Sequence, residues 1–296
     1  MLVTISSILK ESNCELEKSD QDLISFFKEN GYCQLPSSEL ILDNLQKFQT
    51  IIDDLIETES WRGGWEGKEE HMKYMKKFNN GANRLGNLFN KHELFLKLLG
   101  DFSTLKILHG IFNDDMKIGA LDMREPLKGE GSQELHIDWL PKKDSDDLTQ
   151  NVICFIFLDD TDKNNGSMRI VPKTHKKIGW IDDYQKDKSF HSKEINVDVK
   201  AGSIVLMDGN LWHSGTNNIN GKRRRVLYMD IRRRSIPQLL NQRIYLNEKI
   251  QNLLSNNEKF LLGLSSQDEI FEDRVFGVGD YYRKNFNGAA VSESHT

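Results

Sequence analysis

The sequence predicts a mainly β protein with flanking helices. Two observations carry that reading. Between about residues 116 and 235 the chain breaks into short β-rich runs, "NVICFIFLDD", "GSMRIVP", "AGSIVLMDG" and "RVLYMDIR", separated by turn residues, with "NNG" at Asn164–Gly166 a strong turn signal. On either side the apolar spacing changes to that of helices. Several short strands punctuated in this way make a sandwich or a barrel.

Residues 1 to about 115 read as mostly helical. "KSDQDLISFFKENGY" offers Ser19 or Asp20 as a cap, apolar Leu23, Ile24, Phe26 and Phe27, and Gly31 as a stop. "SSELILDNLQKFQTIIDDLIE" repeats the design, capped by Ser37 or Ser38, with an apolar stripe through Leu40, Leu45, Phe48, Ile51, Ile52 and Leu55. The polar, glycine-bearing stretch from Trp61 to Gly86 reads as a loop or lid. After about 236, "IPQLLNQRIYLNEKIQNLLSNNEKFLLGL" returns to helical spacing, and the tail beyond Ser265 reads as mobile. No proline-rich linker or internal repeat divides the chain, so residues 1–296 are expected to form one domain: a helical part (1–115), a β core (116–235) and a helical extension (236–296).

Bulk properties exclude several function classes. The formal net charge of -5 argues against a surface built to hold nucleic acid. No apolar run approaches the roughly 20 residues that span a membrane. Cys14, Cys33 and Cys154 are scattered and form no CxxC pair, which fits a reducing compartment. With no signal-peptide pattern at the start, a cytoplasmic location is expected. Oligomeric state is not readable.

The chemistry lies in "QELHIDWLP". On a strand, residues two apart face one side, so His136 and Asp138 would point into one space. A second histidine, His213, follows the β-rich run "AGSIVLMDGNLWHSG". Two histidines and a carboxylate from separate strands are the ligand set of a facial triad, which leaves half of an Fe(II) coordination sphere open. Enzymes of that kind often hold 2-oxoglutarate, whose far carboxylate calls for a guanidinium fork. Arg223, Arg224 and Arg225 compete for that role. Alternation separates them: Arg225, Leu227, Met229 and Ile231 share an apolar face suited to covering helices, whereas Arg224, Val226, Tyr228 and Asp230 share the more polar one. Arg224 is therefore the expected inward arginine.

The stretch from His136 to Arg224 resembles the phytanoyl-CoA dioxygenase family of Fe(II)/2-oxoglutarate-dependent oxygenases. The resemblance rests on His136-Ile137-Asp138, "FLDDTDKNNGSMRIVPKTH", "KAGSIVLMDGNLWHSGTN" and the arginine eleven positions after His213. Lys173-Thr174 stands where the family has Gly-Ser before His175, and Ser203 where an acid is common. The resemblance implies a double-stranded β-helix (a cupin-like jelly roll) with Fe(II) on His136, Asp138 and His213. It implies 2-oxoglutarate on Arg224, O2 as oxidant, and oxidation of a C–H bond with release of succinate and CO2. Related halogenases carry a small residue at the position of Asp138, so a carboxylate there favours hydroxylation or another oxidation over halogenation. Asp122 and Arg124, on the strand-like run before the metal segment, are expected substrate contacts. Trp139 either faces away or, if the chain turns, walls the substrate pocket. His175 is either structural or reaches toward the site. The expected substrate is a small polar molecule, such as an amino acid or a natural-product intermediate. The rivals are an oxygenase acting on an acyl-CoA or a macromolecule, and a non-catalytic metal- or ligand-binding barrel.

Overall fold

The computed structural model describes residues 3–59, 81–144 and 148–266. The first part is helical as expected: α1 (Ile5–Glu11), α2 (Lys18–Asn30) and α3 (Glu39–Glu59). Helix α2 begins earlier than Ser19. Glu17 is its cap residue, and Asp20 closes the turn by accepting from the Glu17 N–H at 2.8 Å. Gly31 ends the helix at φ +84°, the left-handed geometry that glycine adopts without a Cβ clash. Helix α3 starts directly after Ser38 and buries Ile41, Phe48 and Ile52.

Two strands interrupt the helical part. β1 (Tyr32–Leu35) and β2 (Ala82–Leu85) were not legible as strands, and β2 corrects the end of the stretch read as a loop. The rest of that stretch, 61–80, lies outside the described residues, as do 145–147 and the tail from 267. Two short helices follow, α4 (Glu93–Leu96) and α5 (Phe102–Phe112), and α5 packs against α2.

The β core comprises β3 (Met116–Pro126), β4 (Asn151–Phe157), β5 (Met168–Val171), β6 (Ile195–Val197), β7 (Ile204–Asp208), β8 (Trp212–Gly215) and β9 (Val226–Arg233). A six-stranded antiparallel sheet runs in the order β1-β7-β4-β9-β3-β2. A smaller sheet runs β6-β5-β8, and an isolated bridge between His136 and His213 extends its β8 edge. This is the jelly-roll core. The chain closes with α6 (Gln242–Tyr245), α7 (Glu248–Leu253) and α8 (Asn256–Leu261).

Alternation on the strands divides the core in two. The outer face of the large sheet carries Leu121, Met123, Cys154, Ile156, Leu206, Leu227, Met229 and Ile231, which join Phe27, Phe48, Phe95 and Phe112 of the helices in one cluster. The inner face carries Ile153, Phe157, Val205, Met207 and Val226, which meet Met168 and Ile170 of the small sheet. Each fully buried Leu or Ile contributes about 1.5–3 kcal/mol relative to exposure. The same alternation fixes which polar side chains enter the barrel. Among the described residues, no helix is long and apolar enough to cross a membrane.

Candidate active site

His136, Asp138 and His213 come together inside the barrel, with one ligand atom from each lying within 4.8 Å of the others. The His213 ring is buried; Nε2 of His213 lies 3.3 Å from Asp138 Oδ2, and Nε2 of His136 lies 3.7 Å from Asp138 Oδ1. Each histidine spends its other nitrogen on a backbone carbonyl. His136 Nδ1 donates to Glu134 O at 2.8 Å, and His213 Nδ1 donates to Leu211 O at 2.9 Å. A carbonyl only accepts, so both rings keep the proton on Nδ1 and turn the Nε2 lone pair toward Asp138. Ligands about 2.1 Å from a common ion and at right angles to each other sit about 3 Å apart. The observed separations are close to that spacing, so these residues fit a divalent metal. Burial works against the charged form of His213, but the Asp138 carboxylate, its hydrogen bond and the Leu211 carbonyl outweigh it and raise the pKa.

Asp138 does not reach the site by strand alternation. The chain pairs as a strand only at His136 and then bends, and the N–H groups of Asp138 and Trp139 both donate to Gly209 O at 2.8 and 3.0 Å. Because the chain turns, Trp139 is not carried to the opposite face. Its ring lies against the Arg232 guanidinium, 4.8 Å from the ring centroid, and Arg232 is on the inner face of β9, buried and paired with Asp230 at 2.7 Å.

The three candidate arginines separate as alternation predicts. Arg223 pairs with Glu125 and with Asp53 on α3. Arg225 pairs with Asp159 at 2.7 Å and with Asp53 at 2.9 Å. Arg224 points the other way. It is 5 % exposed, its Nε has no hydrogen-bond partner, and burial pushes its pKa down to about 10. Among the described residues no carboxylate pairs with it, and an ionised guanidinium buried in that way is costly unless an anion joins it.

Asp122 and Arg124 share the inner face, opposite Tyr228 and Val226. Asp122 accepts from the Asn87 N–H at 2.8 Å, so part of its work is to hold that turn. Burial raises the pKa of the Tyr228 phenol, and Asp122 adds to the effect. Arg124 donates to Gly131 O at 3.0 Å. Burial, with Arg84 and Arg224 adding repulsion, lowers its pKa to about 9. His175 turns away from the metal cluster: it is 4 % exposed, and its Nε2 donates to Lys28 O at 3.2 Å, tying the loop to the end of α2. Lys173, in place of the family's glycine, takes φ +72° and donates from its backbone N to Asn30 O. Sequence reasoning missed Arg84 and Gly209. Arg84 sits in a four-residue strand that only its partner defines, whereas Gly209 has a signal in hindsight, the turn "DGN" just before the second histidine.

The phytanoyl-CoA dioxygenase (PhyH) family model matches residues 27–226, from the end of α2 to the start of β9. The chain belongs to this family of iron- and 2-oxoglutarate-dependent oxygenases. Dioxygenase af480 of Aspergillus fumigatus is 28% identical over 197 residues, which cover 64% of this chain and 61% of that protein. The match therefore spans less than two thirds of that relative's length. Among solved structures, HygX from Streptomyces hygroscopicus with nickel and 2-oxoglutarate bound superposes with a TM-score of 0.56 at 14% identity, over 74% of this chain and 87% of that one. SnoK, a carbocyclase from nogalamycin biosynthesis, gives 0.55 at 18% identity, over 79% and 87%. At these identities the structural likeness establishes the jelly-roll fold.

Proposed function

We propose that this PhyH-family protein is an Fe(II)- and 2-oxoglutarate-dependent dioxygenase that hydroxylates, or otherwise oxidises, an unactivated C–H bond of a small polar metabolite. An amino acid or a natural-product intermediate fits that description. The observation that carries the reading is the convergence of two carbonyl-anchored histidines on Asp138, in a barrel that also holds a buried arginine whose Nε has no partner.

His136, Asp138 and His213 would hold the metal, and Arg224 would take the far carboxylate of 2-oxoglutarate. When bound, the iron and the keto acid supply O2 activation, with succinate and CO2 as the co-substrate's products. The chain's own part is to position and to keep dry. Glu134 and Leu211 carbonyls fix the histidine tautomers, and Gly209 fixes the bend that aims Asp138. The apolar inner layer of Ile153, Phe157, Val205 and Met207 excludes water from behind the site. Asp122, Tyr228 and Trp139 give the cavity a polar and aromatic lining, which supports a small polar substrate. The fold does not choose the reaction's outcome, since SnoK with the same fold is a carbocyclase.

The test is anaerobic incubation with Fe(II) and 2-oxoglutarate, followed by its weak visible charge-transfer band. The band is expected in wild type and absent in His213→Ala. Arg224→Ala should require about 10- to 100-fold more 2-oxoglutarate, the cost of losing a charge-assisted fork. Folded wild-type protein that gives no band would overturn the reading in favour of a non-catalytic binding barrel.

A further inference from the structure

Arg124 has the attributes of a ligand-binding group rather than a structural one. On β3 it stands directly across from Arg84 on β2 and from Val226 on β9, and Arg224 lies two residues before Val226, just ahead of the strand. Its side chain crosses the barrel. A Cβ built at Gly215 would lie 3.0 Å from Arg124 Nη1, and 2.9 Å from both Gln133 Oε1 and Gly131 O. Gly215 sits on β8 two residues after His213, a distance of about 7 Å along the strand. The guanidinium thus reaches the strand that carries the second histidine, and Arg224 is near enough to repel it. One of its nitrogens is engaged by Gly131 O, and its buried Nε has no partner.

We infer that Arg124 is a second arginine for 2-oxoglutarate, closing with Arg224 on the far carboxylate as a two-guanidinium clamp. The inference rests on the reading of Arg224 above and moves Arg124 from the substrate side of the site to the co-substrate side. Two features carry it. Arg224 lies two positions before the β9 residue that pairs with Arg124, near enough for the two charges to repel, and both bury an Nε that no protein group satisfies. A carboxylate has two oxygens with about four acceptor positions, enough for two forks. The third cation, Arg84, adds positive potential across the rung, so leaving Arg124 without an anion is unfavourable. The neighbouring acid on this face, Asp122, already accepts from Asn87 N.

The experiment is calorimetric titration of the Zn(II)-loaded protein, which reads binding without turnover, using three probes. 2-Oxoglutarate and N-oxalylglycine carry the far carboxylate. Oxalate chelates the metal and lacks it. Arg124→Gln should raise the Kd of the first two by about 10- to 100-fold and leave oxalate within about twofold. Arg124→Lys keeps the charge without the planar fork and should fall between. It is also the variant to use if the glutamine form does not fold. Unchanged 2-oxoglutarate binding in both variants would overturn the clamp. So would an equal loss for oxalate, because that marks a collapsed pocket rather than a lost contact. Wild type that binds oxalate but not 2-oxoglutarate, or an Arg224→Gln variant with unaltered 2-oxoglutarate affinity, would strike the reading of Arg224 itself.

Discussion

Arg224→Met is expected to make the ligand-free protein more stable and the ligand-bound protein less so. Burial lowers the Arg224 pKa from its ordinary value to about 10, so the folded state holds this cation at a cost on the order of 3 kcal/mol relative to water. The sign follows from the direction. With the folded pKa depressed, the penalty is present at every pH below about 10 and fades as the pH rises from there toward the ordinary arginine pKa. Methionine has a similar length, carries no charge and packs in irregular space. At pH 7.5 the variant should gain about 1–3 kcal/mol in urea unfolding, the lower figure allowing for imperfect packing. Saturating 2-oxoglutarate at 100 times its Kd should stabilise the metal-loaded wild type by about 2.7 kcal/mol. Its effect on the variant should fall by most of that amount. A variant less stable than wild type without ligand would refute the reasoning, since Arg224 would then be a structural cation whose counter-charge had been overlooked.

Four further outcomes are expected. In Gly209→Ala the new methyl would run into Asn151 Oδ1 and approach Trp139 Cβ at 2.9 Å, displacing the carbonyl that holds Asp138. Co(II) affinity by equilibrium dialysis should fall about 10- to 100-fold, and a folded variant with unchanged affinity would contradict the role given to that carbonyl. Burial raises the Asp208 pKa from 3.8 to about 6, so Asp208→Asn should gain up to about 3 kcal/mol at pH 8 and close to nothing near pH 4. A gain independent of pH in urea titrations would count against a buried anion. Asp159→Ala removes an acceptor of the Arg225 backbone N–H, Nε and Nη2 and should cost about 3 kcal/mol. Asp53→Ala, at a 42% exposed side chain, should cost under about 1 kcal/mol in the same urea assay.

What was legible in the sequence was whatever rests on local period. Strand alternation placed Leu227, Met229 and Ile231 against the helices, because β9 is regular along its length, and the same alternation carried two residues ahead of the strand turns Arg224 the other way. The same rule applied to His136 and Asp138 gave the right pair for an incomplete reason. His136 pairs as a strand residue, whereas Asp138 is turned inward by a bend that depends on Gly209, more than seventy positions away. No window around "HID" contains that partner. The strands β1 and β2 were hidden for a related reason. Four residues such as "ANRL" carry no usable period, and only the ladder to β3 makes them a strand and turns Arg84 toward Arg124.

The triplet Arg223-Arg224-Arg225 shows why charge alone would have misled. Three adjacent cations look like a solvated patch, yet their surroundings differ completely. The outer two meet Asp53, Glu125 and Asp159 across α3 and neighbouring segments of the β core. Those pairs fix the strand's entry into the sheet and so hold the middle residue in the opposite direction. Among the described residues, the middle one pairs with no carboxylate, and its Nε has no hydrogen-bond partner. Buried polar groups are almost always satisfied, so the informative position in a basic run is the cation the protein leaves unmatched. Arg224 is such a position, and by the same criterion so is the buried Nε of Arg124 across the rung. The acids that neutralise Arg223 and Arg225 are therefore part of how the proposed anion site at Arg224 would stay open, although none of them would touch the anion.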